Sequence, residues 1–506
     1  MNKITPLALL PLIFTSAHSI ANSPLDPITS IDGYSVQSIQ YEYESMFDGG
    51  HAVTTRPIIY EPSKQISIFD MKVYDVPVSS TLQLSYPVSD RKICQPISGF
   101  GTLVCNTGPI AHANIIKSKD GKFDKPVYFI SGLSVSAGGI NSSVYELEKY
   151  WSTFKLKYVF KPLLDAGKDI VFIGFNSRID YVESSVGQLI HYVETQHKQG
   201  DYHSTMVGYS YGGIMGRKAL KRFESSAYQH EFANYISIDS PHKGAIISPS
   251  FIHTVARIKS RLDDVNELCS TTANLACNVD KERNEMGTLL TDMTDGVAKN
   301  LLVTGDNANA YFNELDKQGL PSTYNVAFSN GSYTGTSQGL PLGIEMAKFE
   351  NDYIAYGTTE YTLEIQDLKS SSTSPNYKAP FYYRNYVLEN APGSYAIDGN
   401  MVNSFLRKHD GTVKDNVTIK HTNLLSSNKA PTFITTDSAL ALDVSDADVA
   451  FDLYSIATPF DRVYAVNGKN LSHTDFTYHK SSLLYQINKK EIDTAITIIA
   501  SSVLFK

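Results

Sequence analysis

The stretch Ser204-Thr-Met-Val207-Gly208-Tyr209-Ser210-Tyr211-Gly212-Gly-Ile-Met215 decides the fold. A short apolar strand runs into Gly-x-Ser-x-Gly, and a helical pattern begins directly after it. Glycines two residues either side of Ser210 fit a sharp strand-to-helix turn, because a side chain there would strike a neighbouring strand or helix. Such a turn lifts the serine hydroxyl out of the sheet. It also aims the unpaired backbone N–H groups of the following helix start toward that hydroxyl.

Outward from this turn, strands and helices alternate, as in a doubly wound parallel sheet. Pro126-Val-Tyr-Phe-Ile-Ser-Gly132 and Asp169-Ile-Val-Phe-Ile-Gly174 read as buried strands, separated by a helical region around 144–164. Val182, Val186, Leu189, Ile190 and Val193 recur at helical spacing, with Asp180 as the expected N-cap. Met215, Ala219 and Phe223 mark the buried face of the helix after Ser210. Further strands are expected at Tyr235–Ile238, Asn325–Gly331 and Val463–Val466. The stretch 245–320 reads as a helical lid or cap, and 332–430 as a long β-containing insertion. Residues 22–115 form a β-rich N-terminal segment, either a separate small domain or an addition to the central sheet. Its alternating stretches are Ile39–Tyr43, Ile66–Ile68 and Leu82–Tyr86.

The chain has 506 residues, a formal net charge of −8, 42% hydrophobic and 19% charged residues. That composition suits a core-forming globular protein and offers no basic footprint for nucleic acid. Residues 1–21 read as a signal peptide: Lys3 supplies positive charge, Leu7–Phe14 the apolar run and Ser19-Ile-Ala21 a small-x-small cleavage site. The expected location is therefore secreted or periplasmic. Cys94, Cys105, Cys269 and Cys277 form two local pairs, and disulfides 94–105 and 269–277 are the natural bridges in that compartment. Zinc is the rival reading, but no Cys-x-x-Cys or clustered histidine accompanies them.

From about 125 to 245, and more loosely from 430 to 480, the chain resembles the α/β-hydrolase superfamily, and within it secreted bacterial serine lipases and esterases. Ser131-Gly-Leu133 looks like the His-Gly-Leu oxyanion loop of bacterial lipases, with serine in place of histidine. Pro241-His-Lys-Gly244 looks like their Pro-His-x-Gly stretch. The resemblance implies a 116–506 hydrolase domain and a Ser-His-Asp triad with Ser210 as nucleophile. It implies two backbone oxyanion donors, the N–H groups of Leu133 and Tyr211, each typically worth about 3 kcal/mol.

Chain order Ser…acid…His favours His473 as the base. His479 is second choice, His242 reads as a structural loop residue, and His409 and His421 fall in the insertion. Asp461, twelve residues before His473, is the favoured acid, and Asp437 is the main alternative. Asp239 would require the acid to follow an earlier strand. The implied reaction is cleavage of carboxylic esters, lipid or small and soluble, through an acyl-enzyme, with no cofactor. A peptidase or acyltransferase on the same scaffold, or a non-catalytic exported binding protein, are the rival functions.

Overall fold

The computed structural model describes residues 30–44, 54–60, 94–96, 103–105, 109–133, 147–153, 156–175, 182–226, 230–247, 298–302, 308–340, 345–353, 357–364, 390–395, 413–414, 417–423, 431–443, 456–466 and 470–473. It also describes isolated positions between 252 and 290, and Gly468. Residues 1–21, the stretches 66–68 and 82–86, Asp180, His409, His479, Cys269 and Cys277 lie outside the described residues.

The chain contributes β1 (Ser30–Ile31), β2 (Tyr34–Glu44), β3 (Thr54–Tyr60), β4 (Cys94–Pro96), β5 (Leu103–Cys105), β6 (Pro109–Ile116), β7 (Pro126–Ile130) and β8 (Asp169–Phe175). Next come β9 (Ser204–Tyr209), β10 (Phe232–Ile238), β11 (Tyr324–Ser332), β12 (Glu345–Tyr353) and β13 (Gly357–Glu364). The last strands are β14 (Gly393–Tyr395), β15 (Val413–Lys414), β16 (Val417–Asn423), β17 (Thr432–Thr435) and β18 (Arg462–Val466). The helices used below are α1 (Lys157–Asp165), α2 (Val182–Gln196), α3 (Tyr211–Ser225), α4 (Ala308–Gln318) and α5 (Thr436–Ala439).

The central sheet runs β1-β2-β6-β8-β7-β9-β10-β11-β18, with β3 on β2. From β8 to β18 every pairing is parallel, whereas β6 meets β8, and β2 meets β6, antiparallel. The N-terminal strands β1, β2, β3 and β6 thus extend the central sheet. The pair β4 and β5 stands apart from it, with Cys94 opposite Cys105 in antiparallel register.

Parallel strands are covered on both faces, so their sequences read as continuous apolar runs. β7 and β8 are buried at every position. The period of two sends Tyr128, Ile130, Val171 and Ile173 to one core, shared with α2, α3 and α4. Val127, Phe129, Ile170 and Phe172 go to the opposite core, closed by Tyr150, Trp151 and α1. Within the expected lid stretch, α4 packs Phe312 and Leu315 into the first core as the crossover leading to β11. The insertion contributes a four-stranded antiparallel sheet, β13-β12-β16-β15, and the strand β14, which pairs with β17 just past its end.

Phe172 is fully buried and its ring packs 5.9 Å from Phe129 and 5.3 Å from Tyr150. Phe172→Ala is expected to cost about 3–5 kcal/mol. Urea denaturation checks this, and a loss below about 1 kcal/mol would contradict a tightly packed site there.

Candidate active site

Parallel strands deliver their carboxyl ends to one edge of the sheet, where open α/β sheets place their ligands. β9 ends there at Tyr209 and α3 begins at Tyr211, so Ser210 occupies the turn between them. Its backbone is held at φ 57°, ψ −130°, an unusual conformation for a residue with a side chain and one that costs on the order of 1–3 kcal/mol. The surroundings enforce it. A Cβ at Gly208 would lie 2.3 Å from Gly213 Cα, and one at Gly212 would lie 2.2 Å from the Ile130 carbonyl oxygen. The motif's glycines are therefore steric necessities of the turn. Ser210 N–H donates to Ile238 O at 2.9 Å, tying the turn to β10.

The loop after β7 closes over this serine. A Cβ at Gly132 would sit 2.8 Å from Ser210 Cβ and 3.3 Å from Ser210 Oγ, so only a bare backbone fits there. Leu133 follows, partly buried against the first core. Tyr211 supplies the first N–H of α3, a donor without an intrahelical acceptor. Its side chain is anchored to the first turn of α2: the hydroxyl donates 2.7 Å to Glu183 Oε1, which also accepts from Tyr311, while Lys218 donates to Oε2. Burial first, and then the Glu183 charge, raise the Tyr211 and Tyr311 hydroxyls well above the usual phenol range, so both stay protonated donors.

His473 lies buried at the same edge. Its ring stacks on Tyr209, the residue before Ser210, at 4.9 Å and 22°, and meets Phe433 edge-on at 5.0 Å. Its backbone is fixed three ways. His473 N–H donates to Tyr395 O at 2.6 Å, and His473 O accepts from Tyr209 Oη at 2.7 Å and Asn330 Nδ2 at 3.2 Å. Its Nδ1 lies 2.6 Å from Asp239 Oδ2, a hydrogen bond in which the carboxylate accepts. Asp239 is fully buried just past β10, at φ 45°, and its Oδ1 accepts from Asn330 N–H at 2.9 Å.

The carboxylate beside the imidazole is thus Asp239, which corrects the expectation of Asp461. Asp461 precedes β18, so the parallel arrangement puts it at the amino-terminal edge. There its Oδ2 accepts from Asn325 N–H at 2.7 Å, at the start of β11. The five residues of β18 separate the two edges by roughly 16 Å. Asp437 lies in the first turn of α5, where its backbone carbonyl accepts from Leu442 N–H at 2.9 Å. It is Asp239, and not Asp437, that occupies Nδ1 of His473. His242 lies 2.7 Å from Ser237 Oγ through Nε2. Burial, and secondarily the Arg217 charge, hold it well below the usual imidazole range. His421 sits in β16 opposite Phe349 of β12, in the insertion's own sheet.

Two residues of this constellation escaped the sequence reading. Asn330 touches Asp239 and the His473 loop together, and Tyr150 accepts from Gly132 N–H at 2.9 Å. Neither belongs to a motif. Asn330 had one legible signal, a polar residue just past the apolar run Val326–Phe328 of β11. Among the described residues no group of three His, Cys, Asp or Glu could hold a metal ion, and no helix is long and apolar enough to cross a membrane.

The family described as "Putative serine esterase (DUF676)" matches residues 169–303, which include β8, Ser210 and Asp239. No curated relative matches the chain in sequence. Among solved structures, an esterase from Pyrobaculum calidifontis is 14% identical over 27% of this chain and 42% of its own, with a TM-score of 0.22. An esterase from Butyrivibrio proteoclasticus is 11% identical over 29% of this chain and 51% of its own, with a TM-score of 0.19. An α/β serine hydrolase without a lid from Xanthomonas campestris is 17% identical over 27% of this chain and 57% of its own, with a TM-score of 0.19. The chain therefore spans about two-fifths to three-fifths of the length of these structures. The mostly parallel sheet with helices on both faces and the serine turn after β9 give the chain an α/β-hydrolase fold, and the serine-esterase family model matches over that same stretch.

Proposed function

We propose that the chain is a serine hydrolase that cleaves carboxylic esters, with Ser210 as nucleophile, His473 as general base and Asp239 as the acid. One observation carries the reading: the imidazole is pinned between a buried carboxylate and the aromatic ring of the residue preceding the serine. A serine hydroxyl is a weak nucleophile near neutral pH, so Nε2 of His473 takes its proton while Oγ bonds to the ester carbonyl carbon. Asp239 holds the Nδ1–H tautomer and stabilises the imidazolium. The carbonyl oxygen becomes an oxyanion, received by the N–H groups of Leu133 and Tyr211. Collapse breaks the ester C–O bond, and the departing alcohol takes the proton from Nε2. Water then repeats the sequence on the acyl-enzyme, releasing the acid and restoring Ser210.

Lipid or acylglycerol esters lead as substrates and small soluble esters follow closely, on the lipase-like Ser-Gly-Leu133 and Pro-His-Lys-Gly244 stretches. The chain acts after export, with residues 1–21 removed and bridges Cys94–Cys105 and Cys269–Cys277 formed. The antiparallel register of Cys94 with Cys105 supports the first bridge.

Intact-mass measurement of the exported protein before and after a fluorophosphonate probe tests these points together. One phosphonyl adduct, mapped to Ser210, is expected on a chain lacking its first 21 residues and the four thiol hydrogens. Folded protein that takes up no probe would favour a binding role. An ester series of increasing acyl length, run beside aminoacyl-arylamides, separates lipase, esterase and peptidase.

A further inference from the structure

We propose that Tyr150 is a positioning residue for the oxyanion loop, holding 131–133 at the distance from Ser210 that the tetrahedral intermediate requires. The proposal rests on the serine-hydrolase reading of the same site. Tyr150 lies in a single π-helical turn, Lys149–Thr153, a rare geometry that tends to mark functional positions. Past the turn, Leu156 N–H donates to Tyr150 O at 3.0 Å. The phenol ring packs against one aromatic residue from each of three neighbouring strands. It packs 6.0 Å from Phe129 of β7, 5.3 Å from Phe172 of β8 and 6.2 Å from Tyr209 of β9.

At the end of that ring the hydroxyl accepts the Gly132 N–H at 2.9 Å. Three consequences follow. The Gly132 amide is committed to Tyr150, so the next amide along, Leu133 N–H, is the one available to an oxyanion. The loop is held at the two successive amides that precede that donor, since Ser131 N–H already donates to Ile173 O at 2.9 Å. The same ring abuts Tyr209, which stacks on His473, so one aromatic contact series relates the oxyanion loop to the base. An oxyanion donor is effective because it is fixed before charge develops, so a loop free to shift would weaken the transition state far more than the bound ester.

Tyr150→Phe removes one oxygen and keeps the ring. With p-nitrophenyl butyrate, the variant is expected to show kcat lowered about 10-fold and KM within about 2-fold of wild type. Hydrogen exchange of the amides at 131–133 should accelerate. Phe160→Leu, which loosens the same core but leaves the hydroxyl, should lower thermal stability and keep kcat. The proposal is overturned if Tyr150→Phe keeps wild-type kcat, or raises KM alone, or lowers kcat only as much as Phe160→Leu does. If wild type neither turns over the ester nor reacts with fluorophosphonate, the hydrolase reading itself fails, and this role with it. A wild type that is active beside an unchanged Tyr150→Phe overturns the role of Tyr150 alone.

Discussion

Asp239→Asn should lower kcat about 10^4-fold while leaving the protein folded and KM little changed. The amide is nearly the same size as the carboxylate, so the buried site past β10 keeps its shape. What changes is the proton arrangement. An asparagine placed 2.6 Å from Nδ1 can present its NH2 group there, favouring the tautomer with its proton on Nε2, where it cannot accept one from Ser210. The positive charge that forms on His473 during attack also loses its counter-charge in a buried setting. Asp461→Asn serves as the comparison. Its carboxylate accepts from Asn325 N–H at the far edge of the sheet, so it should alter stability slightly and kcat hardly at all. Steady-state kinetics on both variants decide the assignment. An Asp239→Asn enzyme within tenfold of wild type, or a crippled Asp461→Asn enzyme with an intact fold, would refute it.

Ser210→Ala should lower kcat by about 10^6-fold, because no acyl-enzyme can form without Oγ. The residual rate over water, of order 10^3 to 10^4, would come from binding and the oxyanion donors. Alanine also retains the Cβ that already fits under Gly132, so unfolding is not the expected cause of inactivity. Backbone strain at φ 57° persists in the variant, and thermal unfolding should stay close to wild type. The variant should take up no fluorophosphonate. Substantial turnover by Ser210→Ala would mean that chemistry occurs elsewhere on the chain.

The local elements were legible because their causes are local. The mainly apolar stretches 126–132, 169–174 and 204–207 read as buried strands, and β7, β8 and β9 lie there. Met215, Ala219 and Phe223 recur at helical spacing, and all three are buried on α3. Gly208 and Gly212 identify the serine turn because the packing of β9 against α3, and of α3 against β7, leaves no room for a Cβ.

Asp239 rather than Asp461 meets His473 because strand direction, and not sequence spacing from the histidine, sets the edge at which a residue lies. Asp461 stands before its strand and Asp239 after its own, and in a parallel sheet that difference alone selects the edge. This much was readable in advance. Asn330 and Tyr150 were not, since each acts across the fold. Asn330 reaches Asp239 over 91 residues and the His473 carbonyl over 143, and Tyr150 reaches Gly132 from a π-turn that no residue pattern announces.

Hydrophobic period and glycine sterics, acting within a few residues, make the central strands β7 to β11, the helices α2 and α3 and the serine-bearing turn readable from the chain alone. The tertiary structure decided which carboxylate meets the imidazole and what holds the site rigid. Those contacts depend on which strands lie side by side and in which direction they run, and that is settled only when the whole sheet assembles.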